Sequence, residues 1–267
     1  MFESAAQIVR YRSLLGTLTA RELKARYRGS VLGFFWSLIN PLLLLGVYSV
    51  VFGLILVPAR AAGVTPYAVF LVTGLFPWVW FSTSLLEGAS SLLANAGLIR
   101  KAVFPTELLP MVSVWANLVH FLLALPILAL ALVAGRLLGY SVAGWGAFAL
   151  PAVILLELPL VAGLALGLSA LTAHFKDVRD ILANVLTLLF FATPIIYPLR
   201  AVPTRWMSLA IRANPLTPFT LAYQQTLFAG TVPGPMLWLQ MAAVSLVAWL
   251  AGAWLFGRLR ETIVEAV

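Results

Sequence analysis

Arg21-Glu-Leu-Lys-Ala-Arg-Tyr-Arg-Gly-Ser-Val-Leu-Gly-Phe-Phe-Trp-Ser-Leu-Ile-Asn-Pro41 changes character half-way along. Its first eight positions hold four cations (Arg21, Lys24, Arg26, Arg28) and one carboxylate, Glu22. Wound as a helix, Arg21, Lys24 and Arg28 form one stripe, and Ala20, Leu23, Tyr27 and Val31 form an adjoining one. A basic amphipathic helix of this kind lies in the plane of a bilayer surface, cations among anionic headgroups and apolar groups beneath. Then the charge stops. From Gly29 to Ala59 there is no Asp, Glu, Lys, Arg or His, and about 20 apolar residues suffice to cross a bilayer. The junction therefore fixes the side from which the first span starts.

The rest of the chain repeats this pattern. Of 267 residues, 62% are hydrophobic and 10% charged, against about 25% charged in a soluble domain. The expected fold is an all-α integral membrane protein forming one transmembrane domain over 1–267. Interface helices fill 1–30, and six spans fall at 31–57, 67–92, 111–134, 147–172, 181–197 and 236–256. The stretch 198–235 is too rich in proline for a span and too apolar for an ordinary loop. Short re-entrant helices between spans five and six reconcile these features. Gly257 onward reads as a charged tail.

The net charge of +8 does not point to nucleic acid, because the cations sit at the ends of apolar runs. With the N-terminus inside, 12 of the 17 Lys and Arg residues lie on the inner side and five on the outer. Both termini are then expected in the cytoplasm.

No catalytic constellation emerges. Cysteine is absent, which removes thiol chemistry and Cys-based metal sites. His120 and His174 stand in different segments, and neither has an acid at metal-ligand spacing apart from Asp177 beside His174, where a solvated or helix-end histidine is the simpler reading. No Gly-x-x-x-x-Gly-Lys-Ser/Thr loop is present, so ATP would have to be bound by another subunit. Two acids, Glu87 and Glu157, fall in or near spans, where a carboxylate costs about 2.5–3.5 kcal/mol on insertion scales. A proton relay is one reading; a paired or protonated helix contact is the simpler one. Tyr48 and Phe52 share a helix face, as do Thr187, Phe190, Phe191 and Pro194, with Tyr197 just beyond. Such faces suit either stacking on the C–H faces of sugar rings or an aromatic belt at the bilayer surface.

The opening stretch also resembles the N-terminal signature of the membrane subunits of polysaccharide ABC exporters, which move O-antigen, capsular polysaccharide or teichoic acid. Further matches follow in order: Phe76-Pro-Trp78, Asn95-Ala-Gly-Leu-Ile-Arg-Lys-Ala-Val-Phe-Pro105, Phe175-Lys-Asp-Val-Arg-Asp180, Ala192-Thr-Pro-Ile-Ile-Tyr-Pro198 and Asn214-Pro215. The resemblance implies a multi-pass subunit of the bacterial inner membrane that pairs with itself and exports a lipid-linked polysaccharide. Two copies of a separate cytoplasmic ATPase, with ATP and Mg, would drive it; this chain would hold no cofactor. It further implies that Arg100, Lys101, Phe104, Pro105 and Glu107 couple to the ATPase, and that Arg21, Glu22, Lys24, Arg26 and Arg28 belong to the interface helix. Tyr48, Phe52, Phe190, Phe191 and Tyr197 would face the substrate channel, and Arg200, Trp206 and Arg212 an outer gate. The alternatives are an ABC exporter of another lipid or a drug, and a proton-coupled carrier using Glu87 and Glu157.

Overall fold

The computed structural model describes residues 2–30, 32–51, 64–101, 105–140, 142 and 144–266. Among these the secondary structure is helical, with no strand. The α-helices run in order as α1 (Phe2–Arg10), α2 (Arg12–Arg26), α3 (Trp36–Val50), α4 (Tyr67–Ala94), α5 (Ala96–Lys101) and α6 (Leu108–Leu137). They continue as α7 (Leu150–His174), α8 (Val178–Ala192), α9 (Arg205–Ala213), α10 (Thr217–Tyr223) and α11 (Pro235–Ala266).

Among the described residues, four stretches are long and apolar enough to cross a bilayer: α4, α6, the segment Trp145–His174 that contains α7, and Pro235–Ile263 of α11. The helices α3 and α8 have 15 residues each, which at about 1.5 Å per residue falls short of a hydrocarbon core about 30 Å thick. The expected end of the first span, 52–57, lies outside the described residues. The expected fifth span, 181–197, ends as a helix at Ala192. Pro194 forces this stop, since the residue before a proline avoids the helical region, and Thr193 is extended at ψ 140°.

The extended piece after α8 is held by side chains from three directions. Asn214 donates to Thr193 Oγ1 at 2.9 Å, Gln224 Nε2 to the Pro194 carbonyl at 2.6 Å, and the Tyr67 hydroxyl to the Ile196 carbonyl at 3.0 Å. These bonds answer backbone and hydroxyl groups that a broken helix would otherwise leave bare inside apolar surroundings.

At the centre stands α4, most of it covered by protein, whereas α11 turns most of its surface outward. Trp80 of α4 stacks on Phe121 of α6 at 5.3 Å and 5° between planes. Phe121 meets the edge of Tyr223 on α10, and the Tyr223 hydroxyl donates to Glu157 on α7 at 2.6 Å. One aromatic column thus ties four helices together.

Against α7, α11 packs backbone to backbone. A Cβ on Gly252 would come within 1.8 Å of the Gly163 carbonyl oxygen, and one on Gly163 within 2.4 Å of the Ala248 carbonyl oxygen. Only glycine permits that approach, the usual device where helices associate without a hydrophobic driving force.

The charged C-terminal tail continues the last helix. It is helical to Ala266, and the reason is packing: Phe256 and Ile263, seven residues apart, are fully buried, with Leu259 half-covered between them. Gly252, Phe256, Leu259 and Ile263 recur at helical spacing, a signal visible in the sequence beneath the charges.

Candidate functional site

The helix α2 turns one face to the bundle, where Leu15 and Thr19 are buried and Leu14, Leu18, Glu22, Leu23, Arg26 and Tyr27 are half-covered. Arg21, Lys24 and Arg28 remain exposed, as does Ala20, and Val31 lies outside the described residues. The cations of the interface helix are therefore of two kinds. Three face outward, while Arg26 points in and pairs with Glu87 of α4.

Asn117 of α6 completes this cluster. Its Nδ2 donates to Glu87 Oε2 at 2.6 Å and to the Ser113 carbonyl at 2.9 Å, and its Oδ1 accepts from Arg26 Nη1 at 2.9 Å. Every polar atom of this buried amide is used, which is what its burial requires. Glu22 adds a second carboxylate 3.7 Å from Arg26. One turn further on, the Tyr27 hydroxyl lies 3.2 Å from His120 Nδ1, with the two rings edge to face. Ser113, Asn117 and His120 make a polar stripe on the otherwise apolar α6, a signal in the sequence that single-residue reading passes over.

Two hollows meet at these groups, and a third adjoins the second of them. A cleft of about 390 Å³ lies between α2, α4 and α6, with Arg21, Glu22, Ser90, Asn95 and Ser113 on its walls. A second cavity of about 280 Å³ is walled by Trp36, Asn40, Phe76, Trp80, His120 and Phe121. Arg26 lines both. A groove of about 550 Å³ between α3, α4 and α8 carries Trp78, Thr187, Phe190 and Phe191. Leu44, Val79 and Thr83 line this groove and the second cavity together.

Of the five residues expected in a substrate channel, the structure brings two to that groove, in different roles. Phe190 is buried and packed against Trp78 at 5.7 Å, whereas Phe191 is 56% exposed. Their rings meet edge to face at 5.2 Å. The Tyr197 hydroxyl turns back to donate to the Phe191 carbonyl at 2.9 Å. Phe52 lies outside the described residues, and so does the side chain of Tyr48.

The expected outer-gate residues Arg200, Trp206 and Arg212 are all exposed. Trp206 and Arg212 stand on α9, a helix with no buried residue, whose N-cap Thr204 accepts from the Met207 amide.

At the other end of α4 comes α5, the short helix of the expected coupling segment. Arg100 is exposed and Pro105 half-buried; Phe104 and the side chain of Lys101 lie outside the described residues. Glu107 departs from the expectation that it faces a partner. It is 1% exposed and pairs with Arg260 of α11 at 3.2 Å. A carboxylate so enclosed needs an internal cation, and the helical tail supplies it. Beside this pair, His174 Nε2 lies 2.8 Å from the Thr262 hydroxyl, a second tie between the tail and the rest of the protein.

This arrangement is a set of adjoining hollows in a helical bundle, with Arg26, Glu87 and Asn117 paired where two of them meet. The ABC-2 type transporter family model matches residues 13–228. The chain belongs to this family. It is 36% identical, over the whole of both chains, to a protein of Myxococcus xanthus named O-antigen export system permease protein RfbA. A protein of the same name from Klebsiella pneumoniae is 32% identical over 82% of each chain. The polysialic acid transport protein KpsM of Escherichia coli is 24% identical over 93% of this chain and 94% of its own. The family match stops at Phe228, before α11, while the likeness to the Myxococcus protein runs through it.

Proposed function

We propose that this chain is the membrane subunit of an ATP-driven exporter that carries a lipid-linked polysaccharide across the bacterial inner membrane. The observation that carries the reading is the full-length likeness to a permease named for O-antigen export, with neither chain leaving a remainder. The groove between α3, α4 and α8 supports it: Phe191 presents an open aromatic face backed by Phe190 and Trp78. Aromatic faces of this sort pack on the apolar side of sugar rings while the hydroxyls stay in water.

Two copies would complete the path. The outer faces of α3 (Leu42, Leu43, Val47) and α8 (Ile181, Leu188, Phe191) are exposed and apolar, and a second copy placed against them would enclose the groove as a channel. In this reading α3 and α8 belong to the first and fifth of six spans, α9 and α10 are re-entrant, and both termini are cytoplasmic. Two copies of a separate ATPase then dock beside α5, holding Arg100, Lys101 and Phe104, and supply ATP and Mg. Glu107 is not among the docking groups, because it is committed to Arg260.

The test is genetic and chemical. Removing this permease from its own cell should abolish the surface glycan and leave lipid-linked glycan on the cytoplasmic side. Restoring it with an ATPase partner able to hydrolyse ATP should recover export, and a hydrolysis-dead partner should not. An unchanged surface glycan would overturn the reading. So would export that persists without ATP hydrolysis and stops when the proton gradient is collapsed.

A further inference from the structure

We propose that Arg26, Glu87 and Asn117 form a gate between the cleft beside α2 and the aromatic cavity behind it, on the route of the exported glycan. The inference rests on the export reading for its ligand, and on geometry alone for the gate.

The hollows occur in sequence. The cleft, the cavity and the α3–α4–α8 groove lie side by side and share lining residues, Arg26 at the first boundary and Leu44, Val79 and Thr83 at the second. At the first boundary the three side chains close on one another, with Glu87 contributed from the cleft side and Asn117 from the cavity side. Each comes from a different helix: Arg26 from α2, Glu87 from α4 and Asn117 from α6. A shift of α2 relative to the other two would part them without breaking either long helix. The pair is also not sealed in protein, since Glu87 is 41% and Arg26 22% exposed. An ion pair open to a cleft costs less to part than one sealed in packed protein.

The chemistry of the walls indicates what passes. Arg26 is balanced by Glu87 and by Glu22, so the boundary offers no surplus positive charge to an anion. It offers amide, carboxylate and hydroxyl edges from Asn117, Glu87, Ser90 and Ser113, followed by the aromatic walls of Trp36, Phe76 and Phe121. Trp80, which also lines the cavity and is 2% exposed, has an indole N–H with no acceptor among the described residues. Hydrogen-bonding rims leading to aromatic faces fit a sugar chain, hydroxyls at the edges and C–H faces on the rings.

The chain has no cysteine, so access can be read directly. Ala124 of α6 lines the inner cavity only, and Ser90 of α4 the outer cleft only. In inside-out vesicles holding the full protein, Ala124→Cys should react slowly with a small cationic, membrane-impermeant thiol reagent, and Ser90→Cys quickly. Adding Arg26→Ala should speed modification at position 124 about tenfold, the factor equivalent to about 1.4 kcal/mol of closed-state preference, with position 90 unchanged. The reversed pair Arg26→Glu with Glu87→Arg should slow it again, which a collapsed fold could not do. A labelling rate at 124 indifferent to the pair, or one that the reversed pair fails to restore, overturns the gate. In the complex with its ATPase, glycan exported per ATP hydrolysed should fall in Arg26→Ala and recover in the reversed pair. If labelling follows the pair while export per ATP ignores it, the gate is off the glycan's route and that part of the proposal fails. Labelling needs neither ATPase nor glycan, so its outcome stands apart from that of the export reading.

Discussion

Glu87 on α4 meets a guanidinium at the boundary of two hollows, whereas Glu157 on α7 meets a phenol inside packed protein. The first is two-fifths exposed and has Arg26 and Asn117 as partners; the second is 3% exposed and accepts from Tyr223. Phe121 lies edge-on against Tyr223 and stacks on Trp80, so hydrocarbon adjoins that second carboxylate. The same residue type thus serves two purposes. A carboxylate paired with a cation near water makes a contact that can open and close, while one bonded to a buried hydroxyl fixes a packing arrangement.

The largest effect that could break this contrast is at the packed site. Tyr223→Ala removes a fully buried ring together with the hydroxyl that satisfies Glu157, and should cost about 3–5 kcal/mol, the range for large-to-small changes of buried aromatics. The thermal midpoint of the detergent-solubilised protein should drop by roughly 10 °C at about 2–4 °C per kcal/mol. Tyr223→Phe keeps the ring and should cost about 1–3 kcal/mol, the usual penalty for stranding a buried polar group. A loss in Tyr223→Ala no greater than in Arg26→Ala would mean that the two sites are not different in kind.

Next in size is the coupling between Arg26 and Glu87. In a double-mutant cycle with alanine at each position, the interaction should be about 1 kcal/mol, nearer the exposed than the buried range because both side chains reach water. The double variant should be more stable than the two single losses added together predict. Strict additivity, measured by the same thermal midpoints, would show that Arg26 gains nothing from Glu87 and would remove the reason for treating the pair as a closed contact.

How much of this contrast was readable in advance differs between the sites. That both acids are carried by apolar helices follows from composition and run length. That Glu87 has a cation does not, because Arg26 lies 61 residues away and sits among three other cations of equal standing on paper. Only the docking of α2 separates Arg26 from Arg21, Lys24 and Arg28. The inward face of α2 was legible at helical spacing through Leu15, Leu18, Glu22 and Arg26, but two charged members disguise it as a surface stripe. Tyr223 is hidden for another reason. It closes a seven-residue helix with a proline in its first turn, where periodicity is too short to assign a face. The helical tail was concealed by Arg258, Arg260 and Glu261, although its apolar positions kept the spacing.

Salt should separate the sites by a smaller margin. Raising ionic strength from low salt to about 0.5 M shortens the screening length to a few ångströms. The stability deficit of Glu87→Gln relative to the unaltered protein should shrink, since the native ion pair loses part of its advantage. The deficit of Tyr223→Phe should hold, because a bond inside packed protein is not reached by mobile ions. Thermal midpoints of the two variants at both salt concentrations check this. Equal shrinkage would mean that water and ions reach Glu157 as they reach Glu87.

The smallest expected effect is that of Glu157→Gln, and it decides whether that carboxylate does anything beyond packing. The amide keeps an oxygen to accept from the Tyr223 hydroxyl and nearly the same volume, so the bond and the surrounding contacts survive. Its added N–H₂ needs an acceptor, which sets the cost at about 1 kcal/mol, within the range for an imperfectly satisfied buried group. A glutamine cannot take up or release a proton in this range of conditions. If Glu157 carried protons through the membrane, as a proton-coupled carrier would require, the variant would fold and yet fail to transport. If the carboxylate is a packing element of an ATP-driven exporter, glycan export should stay near that of the unaltered protein and should continue when the proton gradient is collapsed at constant ATP. Export assayed beside the thermal midpoint distinguishes these cases: a folded but inactive Glu157→Gln would move Glu157 from the scaffold to the transport cycle and erase its difference from Glu87.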